Sequence, residues 1–149
     1  MKANNGSGNI KERDEWETPE WLFRKLDKQY NFTFDCCATK KNSKCPFFSN
    51  DFLNSGRIFY KKAWMNPPFS QSRKMFEHFF RVISSGIAIY RCDNIETKLW
   101  QNVILPNCDW VFIFKGRINY EGFKGSSSRF PSALIGLNVR PPKNSKVLF

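Results

Sequence analysis

The stretch Ala63-Trp64-Met65-Asn66-Pro67-Pro68-Phe69 indicates how this chain is organised. Three apolar residues predict a short buried strand, which ends at a polar side chain, two prolines and an aromatic ring. Each proline fixes its own φ and drives the residue before it into an extended conformation. The backbone of Asn66 and Pro67 is therefore expected to be stiff, in a turn that joins a strand to the next helix.

This turn is also the strongest candidate for a chemical site. It can direct the Asn66 side-chain oxygen and the Pro67 carbonyl oxygen at one point, with the Phe69 ring beside that point. Two acceptors and a ring suit a planar base with an amino group, because the acceptors take the amino hydrogens and the ring stacks on the base. The residues are equally compatible with a structural turn in which Phe69 belongs to the core. The candidate catalytic residues are Asn66, Pro67, Pro68 and Phe69.

Strands and helices alternate on both sides of this turn. Apolar patterns predict strands at residues 32–35, 86–90, 111–114 and 133–139, and helices at residues 19–30, 70–83 and 95–105. Such alternation is typical of an α/β fold with a mostly parallel sheet and helices on both faces. No helix separates the last strands, so the sheet is expected to end in an antiparallel C-terminal hairpin, with residues 117–120 as a further strand.

Two finer expectations concern single side chains. Thr18-Pro19-Glu20 is typical of a helix start, with Thr18 as the N-cap and Pro19 as the first helical residue. His78 lies off the apolar stripe of its helix and is expected at the surface.

Polar side chains follow three of the predicted strands. Asp35, Asn66 and Arg91 each stand at the end of such a strand. Ligands of open α/β sheets bind beyond the carboxyl ends of the strands, so these three residues are expected to share one site.

Length and composition restrict the class of protein. The chain has 149 residues, which fits a single domain at residues 14–149 after a flexible, polar tail at residues 1–13. Without a long apolar run or a signal-peptide core, no membrane contact and a cytoplasmic location are expected. Five cysteines without a CxxC spacing and a single histidine predict reduced thiols and no metal site.

The charge points to a polyanionic partner. Lys and Arg number 24 against 13 Asp and Glu, a formal net charge of +11. Basic residues outnumber acids after residue 111, which favours nucleic acid, although a merely solvated surface is the alternative. The candidate DNA contacts are Arg91, Lys115, Arg117, Lys124 and Arg129.

Taken in order, several segments resemble the phage-type DNA adenine methyltransferases, which use S-adenosylmethionine. The match spans residues 14–132. Its pieces are Asp14-Glu15-Trp16-Glu17-Thr18-Pro19, Phe34-Asp35-Cys36-Cys37-Ala38, Asp51, the Trp64 to Phe69 block, Arg91-Cys92-Asp93, Gly116-Arg117-Ile118 and Phe130-Pro131-Ser132.

The resemblance implies a class I, Rossmann-like methyltransferase fold and methylation of the adenine amino group in DNA. It implies that Trp16, Thr18 and Pro19 help to hold the methionine end of S-adenosylmethionine. By the same resemblance, the strand-end motif beneath the cofactor is Asp35, Cys36 and Cys37, and Asp51 binds a cofactor hydroxyl or the adenine edge. The glycine-rich turn that many methyltransferases have after the first strand is absent here, which the resembled family tolerates, and Cys37-Ala38-Thr39-Lys40 stands in its place.

Alternatives stay open at this point. The same turn serves amino groups of cytosine, RNA bases or glutamine, and a basic binding module without catalysis is a reading from another class. The sequence is compatible with a monomer or a dimer. The resemblance implies a phage or prophage origin, with action in the host cell.

Overall fold

A single mixed sheet organises the molecule. In a computed structural model, the structure describes residue 14, residues 16–122 and residues 130–143. These residues form six strands: β1 (Phe34–Asp35), β2 (Phe47–Phe48), β3 (Ala63–Met65), β4 (Gly86–Arg91), β5 (Trp110–Ile113) and β6 (Ser132–Leu137). The predicted tail at residues 1–13 lies outside the described residues.

The strand order is β2-β1-β3-β4-β6-β5. Strands β1 to β4 pair in parallel, whereas β6 runs antiparallel to both β4 and β5. The predicted α/β fold with a mostly parallel sheet is confirmed, and the last two strands form an antiparallel pair. However, β6 lies between β4 and β5 rather than at the edge, and residues 117–120 form no strand. Directly after these residues, Glu121 forms an isolated antiparallel bridge with Glu17.

Helices cover both faces of the sheet. The described helices are α1 (Glu20–Tyr30), α2 (Ser72–Val82), a π-helical stretch (Leu99–Ile104) and the short α3 (Leu105–Asn107), with 3₁₀ turns at Phe52–Asn54 and Phe69–Gln71. The helix predicted at residues 95–105 therefore begins later than expected. Its Pro106 lies in the first turn of α3, where a missing backbone N–H is tolerated.

The side chains of the central strands alternate between two cores. Trp64, Ile87 and Ile89 pack with α1 in one core. Met65 and Ala88 pack with α2 and the π-helical stretch in the other. Successive residues of a strand point to opposite faces of a sheet, so both faces are buried along β3 and β4. The continuous apolar run of β3 reflects this two-sided burial, and it places the end of β3 in the middle of the sheet.

Two single-residue predictions were wrong. Thr18 does not cap α1: Pro19 occupies the cap position without a side-chain hydrogen bond, and Thr18 is buried beside Asn66. His78 is also buried, because its ring bonds Ser55 Oγ (3.1 Å) and Arg81 Nη2 (2.9 Å). These polar partners allow a histidine to lie inside the protein next to an apolar stripe. None of the helices in the described parts is both long and apolar enough to cross a membrane.

Candidate active site

The carboxyl ends of β1, β2 and β3 open onto one cavity of about 420 Å³. Ligand sites of this size bury most of a small molecule. Eight of the predicted site residues contribute to its wall: Trp16, Thr18, Asp35, Cys36, Cys37, Asp51, Asn66 and Pro68. The structure therefore brings these eight residues together at one edge of the sheet. Pro19, Pro67 and Phe69 are not part of this wall, although each adjoins a residue that is.

The Asn66 side chain is held in one orientation. Its Nδ2 donates to the Trp16 carbonyl oxygen (3.3 Å) and to Thr18 Oγ1 (3.2 Å). A carbonyl oxygen only accepts, so the amide nitrogen must face Trp16 and cannot be exchanged with the oxygen. The Asn66 Oδ1 atom consequently points away from the two residues that hold the amide. Since Asn66 is only partly buried, this oxygen is available as a preset hydrogen-bond acceptor.

Asp35 is a buried carboxylate at the end of β1, with 4% of its surface exposed. Its oxygens accept the backbone N–H groups of Cys37 (3.2 Å) and Lys44 (3.1 Å). Burial raises the pKa of Asp35 to about 6, although these two hydrogen bonds and the charge of Lys44 act in the opposite direction. A carboxylate that is costly to ionise gains stability from any positive charge that enters the cavity.

Asp51 lies on the exposed rim of the cavity. Both of its carboxylate oxygens accept hydrogen bonds from Asn54 Nδ2, at 2.9 and 3.1 Å. Asn54 closes the 3₁₀ turn that follows Asp51, so the carboxylate has a fixed position. Carboxylate oxygens have several lone pairs each, so Asp51 can still accept hydrogen bonds from hydroxyl groups of a ligand.

A cluster of aromatic rings surrounds Trp16, which is part of the cavity wall. The Trp16 ring stacks on Tyr120 (6.2 Å between centroids) and on Phe130 (6.3 Å). Phe69 meets the edges of Trp16 (6.0 Å) and Phe130 (5.6 Å) and also contacts Tyr90 (6.0 Å). Phe69 is thus fixed by three rings, but it is only partly buried and keeps some accessible surface.

Arg91 has a different environment from the one predicted. Its side chain is 8% exposed and forms two hydrogen bonds to the Asp93 carboxylate, one of 2.7 Å. Its guanidinium also lies 4.8 Å from the centre of the Phe130 ring. The hydrogen bonds and the charge of Arg91, together with the more distant charge of Arg117, hold the pKa of Asp93 below its ordinary value. Arg91 therefore supports the aromatic cluster instead of presenting its charge to solvent, and the structure does not favour a phosphate contact there.

The other candidate DNA contacts fall into two groups. Lys115 and Arg117 are exposed in the segment after β5. Lys124 and Arg129 lie outside the described residues. The predicted role of all four in binding DNA stays a prediction.

Asp14 is one of the cavity residues that were not predicted from the sequence. Its carboxylate accepts hydrogen bonds from the backbone N–H of Ser70 (2.9 Å) and from the Ser70 hydroxyl. It therefore fastens the N-terminal segment to the turn that follows Pro68. The available signal was the position of Asp14 two residues before Trp16, inside the same resembling segment. The N-cap position of α2 is Gln71, the residue after Ser70.

The cysteine thiols of this site are poorly suited to act as nucleophiles or metal ligands. All five thiols are free, and burial raises the pKa of Cys36 and Cys37 well above the ordinary value. A thiol that stays protonated at neutral pH is a poor nucleophile and a poor metal ligand. In the part of the chain that the structure describes, no group of His, Cys, Asp and Glu side chains is arranged to hold a metal ion.

Two comparisons with known proteins agree with this geometry. Residues 6–133 match the family model described as DNA N-6-adenine-methyltransferase (Dam). The chain is also 33% identical over 148 residues to a protein named DNA N-6-adenine-methyltransferase from Haemophilus phage HP1 (strain HP1c1). That similarity covers 90% of this chain and 84% of the phage protein. The matched region includes the cavity, Asn66 and the aromatic cluster.

Proposed function

Because the chain belongs to the DNA N-6-adenine-methyltransferase (Dam) family, we propose that it transfers a methyl group from S-adenosylmethionine to the amino nitrogen of adenine in DNA. The family makes it an adenine-specific DNA methyltransferase. We further propose the use of S-adenosylmethionine, the residues that bind it and the residues that capture the base. The observation that carries them is the locked orientation of the Asn66 amide at the mouth of the cavity.

The sheet supports the finer fold assignment. Five strands run in one direction, and the reversed strand β6 is inserted next to the last of them. We propose that residues 14–149 form one domain of the class I, Rossmann-like methyltransferase type. In such a sheet the ligand lies beyond the carboxyl ends of the strands, where the cavity is found.

The residues around the cavity fit S-adenosylmethionine. The ligand has a sulfonium cation, an ammonium group and two ribose hydroxyls. Asp35 is a buried carboxylate that favours a cation, and Asp51 is a fixed carboxylate at the rim that suits hydroxyl donors. The methionine end of the cofactor would also contact Trp16, Thr18 and Pro19. The floor of the cavity beneath the cofactor would be formed by Cys36 and Cys37. When bound, S-adenosylmethionine supplies a methyl group that its sulfonium already activates.

Asn66 acts on the base. Adenine's amino nitrogen is a weak nucleophile because its lone pair is delocalised into the ring. Asn66 Oδ1, set by the bonds to Trp16 and Thr18, accepts one amino hydrogen, and the Pro67 carbonyl oxygen accepts the other. These bonds raise the electron density on nitrogen and favour a pyramidal geometry. The acceptors are fixed before the base arrives, so little reorganisation is needed when charge develops.

Phe69 holds the base by stacking. The adenine must leave the duplex to reach the cavity, and an aromatic face offsets part of the lost base stacking. Phe69 has an accessible surface and is fixed by Trp16, Tyr90 and Phe130. Arg91 takes part indirectly, through Phe130. Asn66 is neutral and does not serve as a base, so the amino proton leaves to water after transfer.

The DNA backbone is expected to contact the basic residues after β5. We propose phosphate contacts for Lys115 and Arg117, which are exposed, and for Lys124 and Arg129. Arg91 is not included, because its charge is paired with Asp93. The phage origin of the relative supports action in the cytoplasm of a host cell.

The experiment compares wild type with Asn66→Ala. We expect Asn66→Ala to reduce methyl transfer to duplex DNA about a hundredfold or more, as when one preset hydrogen-bonding group is removed from an active site. S-adenosylmethionine binding, measured by calorimetry, should be nearly unchanged because the proposed partner of Asn66 is the base. Asn102→Ala, at an exposed asparagine outside the cavity wall, is the matched control. Retention of most activity by Asn66→Ala would contradict the proposed role of this residue.

A further inference from the structure

The edge of the sheet at β2 carries a group of exposed aromatic rings. Phe47 and Phe48 are 50% and 37% exposed, and Phe59 and Tyr60 are 82% and 42% exposed. Three cations, Arg57, Lys61 and Lys62, belong to the same stretch of chain and are also exposed. We call these seven residues the edge patch.

Two rings of the edge patch, Phe47 and Tyr60, are ordered by contact with each other. Tyr60 stacks on Phe47, with 4.5 Å between centroids and 15° between planes, and on the buried Phe34 at 5.5 Å. Arg57 lies 5.9 Å from the centre of the Phe59 ring. The Thr33 hydroxyl donates to the Lys61 carbonyl oxygen, and the Thr33 backbone N–H donates to the Lys62 carbonyl oxygen. These bonds attach the edge patch to the residue that precedes β1.

Basic residues predominate in the stretch of chain that carries the edge patch. Residues 36–62 contain six basic residues and one acid, Asp51, and that acid lies at the cavity rim. Within the described residues, Arg57, Lys61 and Lys62 form no ion pair. A monomeric protein rarely leaves several large rings and unpaired cations together on its surface unless they meet a partner.

The edge patch is separate from the active site. Its residues are absent from the cavity wall formed by the described residues. Residues 57–62 precede the amino end of β3, whereas Asn66 follows its carboxyl end. A ligand on the edge patch is therefore not the adenine that Asn66 would hold.

We propose that the edge patch binds single-stranded DNA independently of the target adenine. Unpaired bases stack on the exposed rings, and the backbone phosphates contact Arg57, Lys61 and Lys62. Rings interleaved with cations are the combination that sequence-tolerant single-strand binding uses. A second copy of the chain is disfavoured as the partner, because the same three cations would then face one another.

Fluorescence anisotropy with labelled oligo(dT) tests this proposal. Oligo(dT) contains no adenine, so capture of the target base at Asn66 does not contribute to the signal. Phe59→Ala removes a ring that is 82% exposed and should leave the fold intact. Loss of one base-stacking ring should weaken binding about fivefold or more, and Phe59→Trp should retain it. Trp21→Ala, at a 60% exposed tryptophan on α1, is the matched control and should change nothing.

Salt dependence tests the cationic half of the edge patch. Each phosphate contact on a single strand contributes roughly −0.7 to the slope of log affinity against log salt. Lys61→Ala should therefore flatten the slope for oligo(dT) by about 0.7. Asn66→Ala should leave oligo(dT) binding unchanged, even if the proposed role of Asn66 in methyl transfer proves wrong.

Two results would overturn the proposal. The first is that both Phe59→Ala and Lys61→Ala bind oligo(dT) with the same affinity as wild type. The second is a dimer in sedimentation experiments that Phe59→Ala dissociates without any change in oligo(dT) binding, because the edge patch would then be a self-association surface.

Discussion

Replacing Thr18 with valine removes the hydroxyl that holds the Asn66 amide. Thr18 is 2% exposed, and its Oγ1 accepts from Asn66 Nδ2 at 3.2 Å. Valine fills nearly the same volume, so Asn66 keeps only the bond to the Trp16 carbonyl oxygen. A hydrogen bond of this kind contributes about 0.5–1.5 kcal/mol. If that energy maintains the productive orientation of Asn66 Oδ1, kcat should fall about 2- to 12-fold.

The assay measures kcat on duplex DNA at saturating S-adenosylmethionine, together with the cofactor Kd from calorimetry. Saturation separates a change at Asn66 from a change in cofactor binding, which matters because Thr18 also lines the cavity. Thr18→Ser retains the hydroxyl and is the matched control, so its kcat should stay within about twofold of wild type. A kcat of Thr18→Val equal to that of wild type, or a loss in Thr18→Ser as large as in Thr18→Val, would refute this role of the Thr18 hydroxyl.

Three further predictions concern charge and packing. The folded-state pKa of Asp35, about 6, lies above its unfolded value of 3.8, so its contribution to stability is complete below about pH 4 and is lost as the pH rises through 6. Relative to Asp35→Asn, wild type should lose roughly 3 kcal/mol of unfolding free energy between pH 4 and 8 in denaturant titrations. The same pH dependence of the unfolding free energy in both proteins would exclude this contribution of Asp35. Gly136→Ala places a Cβ 2.0 Å from the Trp110 ring and should cost about 1–3 kcal/mol or more of unfolding free energy. Gly56→Ala, in open space, is its control, and equal stabilities would refute the contact. Arg117→Ala should weaken duplex DNA binding and flatten its salt slope by roughly 0.9, whereas an unchanged slope and affinity would place the DNA elsewhere.

Runs of apolar residues were sufficient to predict the two central strands of the sheet, β3 and β4. Ala63–Met65 and residues 86–90 are continuous runs without charge, which suit strands buried on both faces, and the structure has strands at Ala63–Met65 and Gly86–Arg91. The edge strand β2 was missed. It comprises only Phe47 and Phe48, both exposed, in a polar segment, so it produces no periodic signal. Its pairing with β1 is a tertiary effect that local sequence does not encode.

Side-chain partners distant in sequence explain the errors at single residues. Thr18 was predicted to cap the helix because threonine is favoured at the N-cap and proline at the first helical position. In the structure its hydroxyl oxygen instead accepts a hydrogen bond from Asn66, 48 residues later. His78 was placed at the surface from its helical position. Its partner Ser55 belongs to another segment, which no helical pattern reveals.

The candidate site was predicted better than its internal contacts. Asp35 and Asn66 follow parallel strands, and this topological rule brought them to one edge of the sheet. The same rule was insufficient for Arg91, because its position did not reveal that Asp93 and Phe130 would take up its charge. Position along a strand therefore identified the neighbourhood, whereas the role of each side chain depends on contacts made after folding.

The most direct test of the central claim is an isotope-labelled methyl transfer followed by nucleoside analysis. The purified protein is incubated with methyl-labelled S-adenosylmethionine and duplex DNA, and the digested nucleosides are separated. We predict label in N6-methyldeoxyadenosine with wild type and with Asn102→Ala, and almost none with Asn66→Ala. Label in another base, or equal labelling of adenine by wild type and Asn66→Ala, would contradict the proposal that Asn66 presents the adenine amino group for methylation.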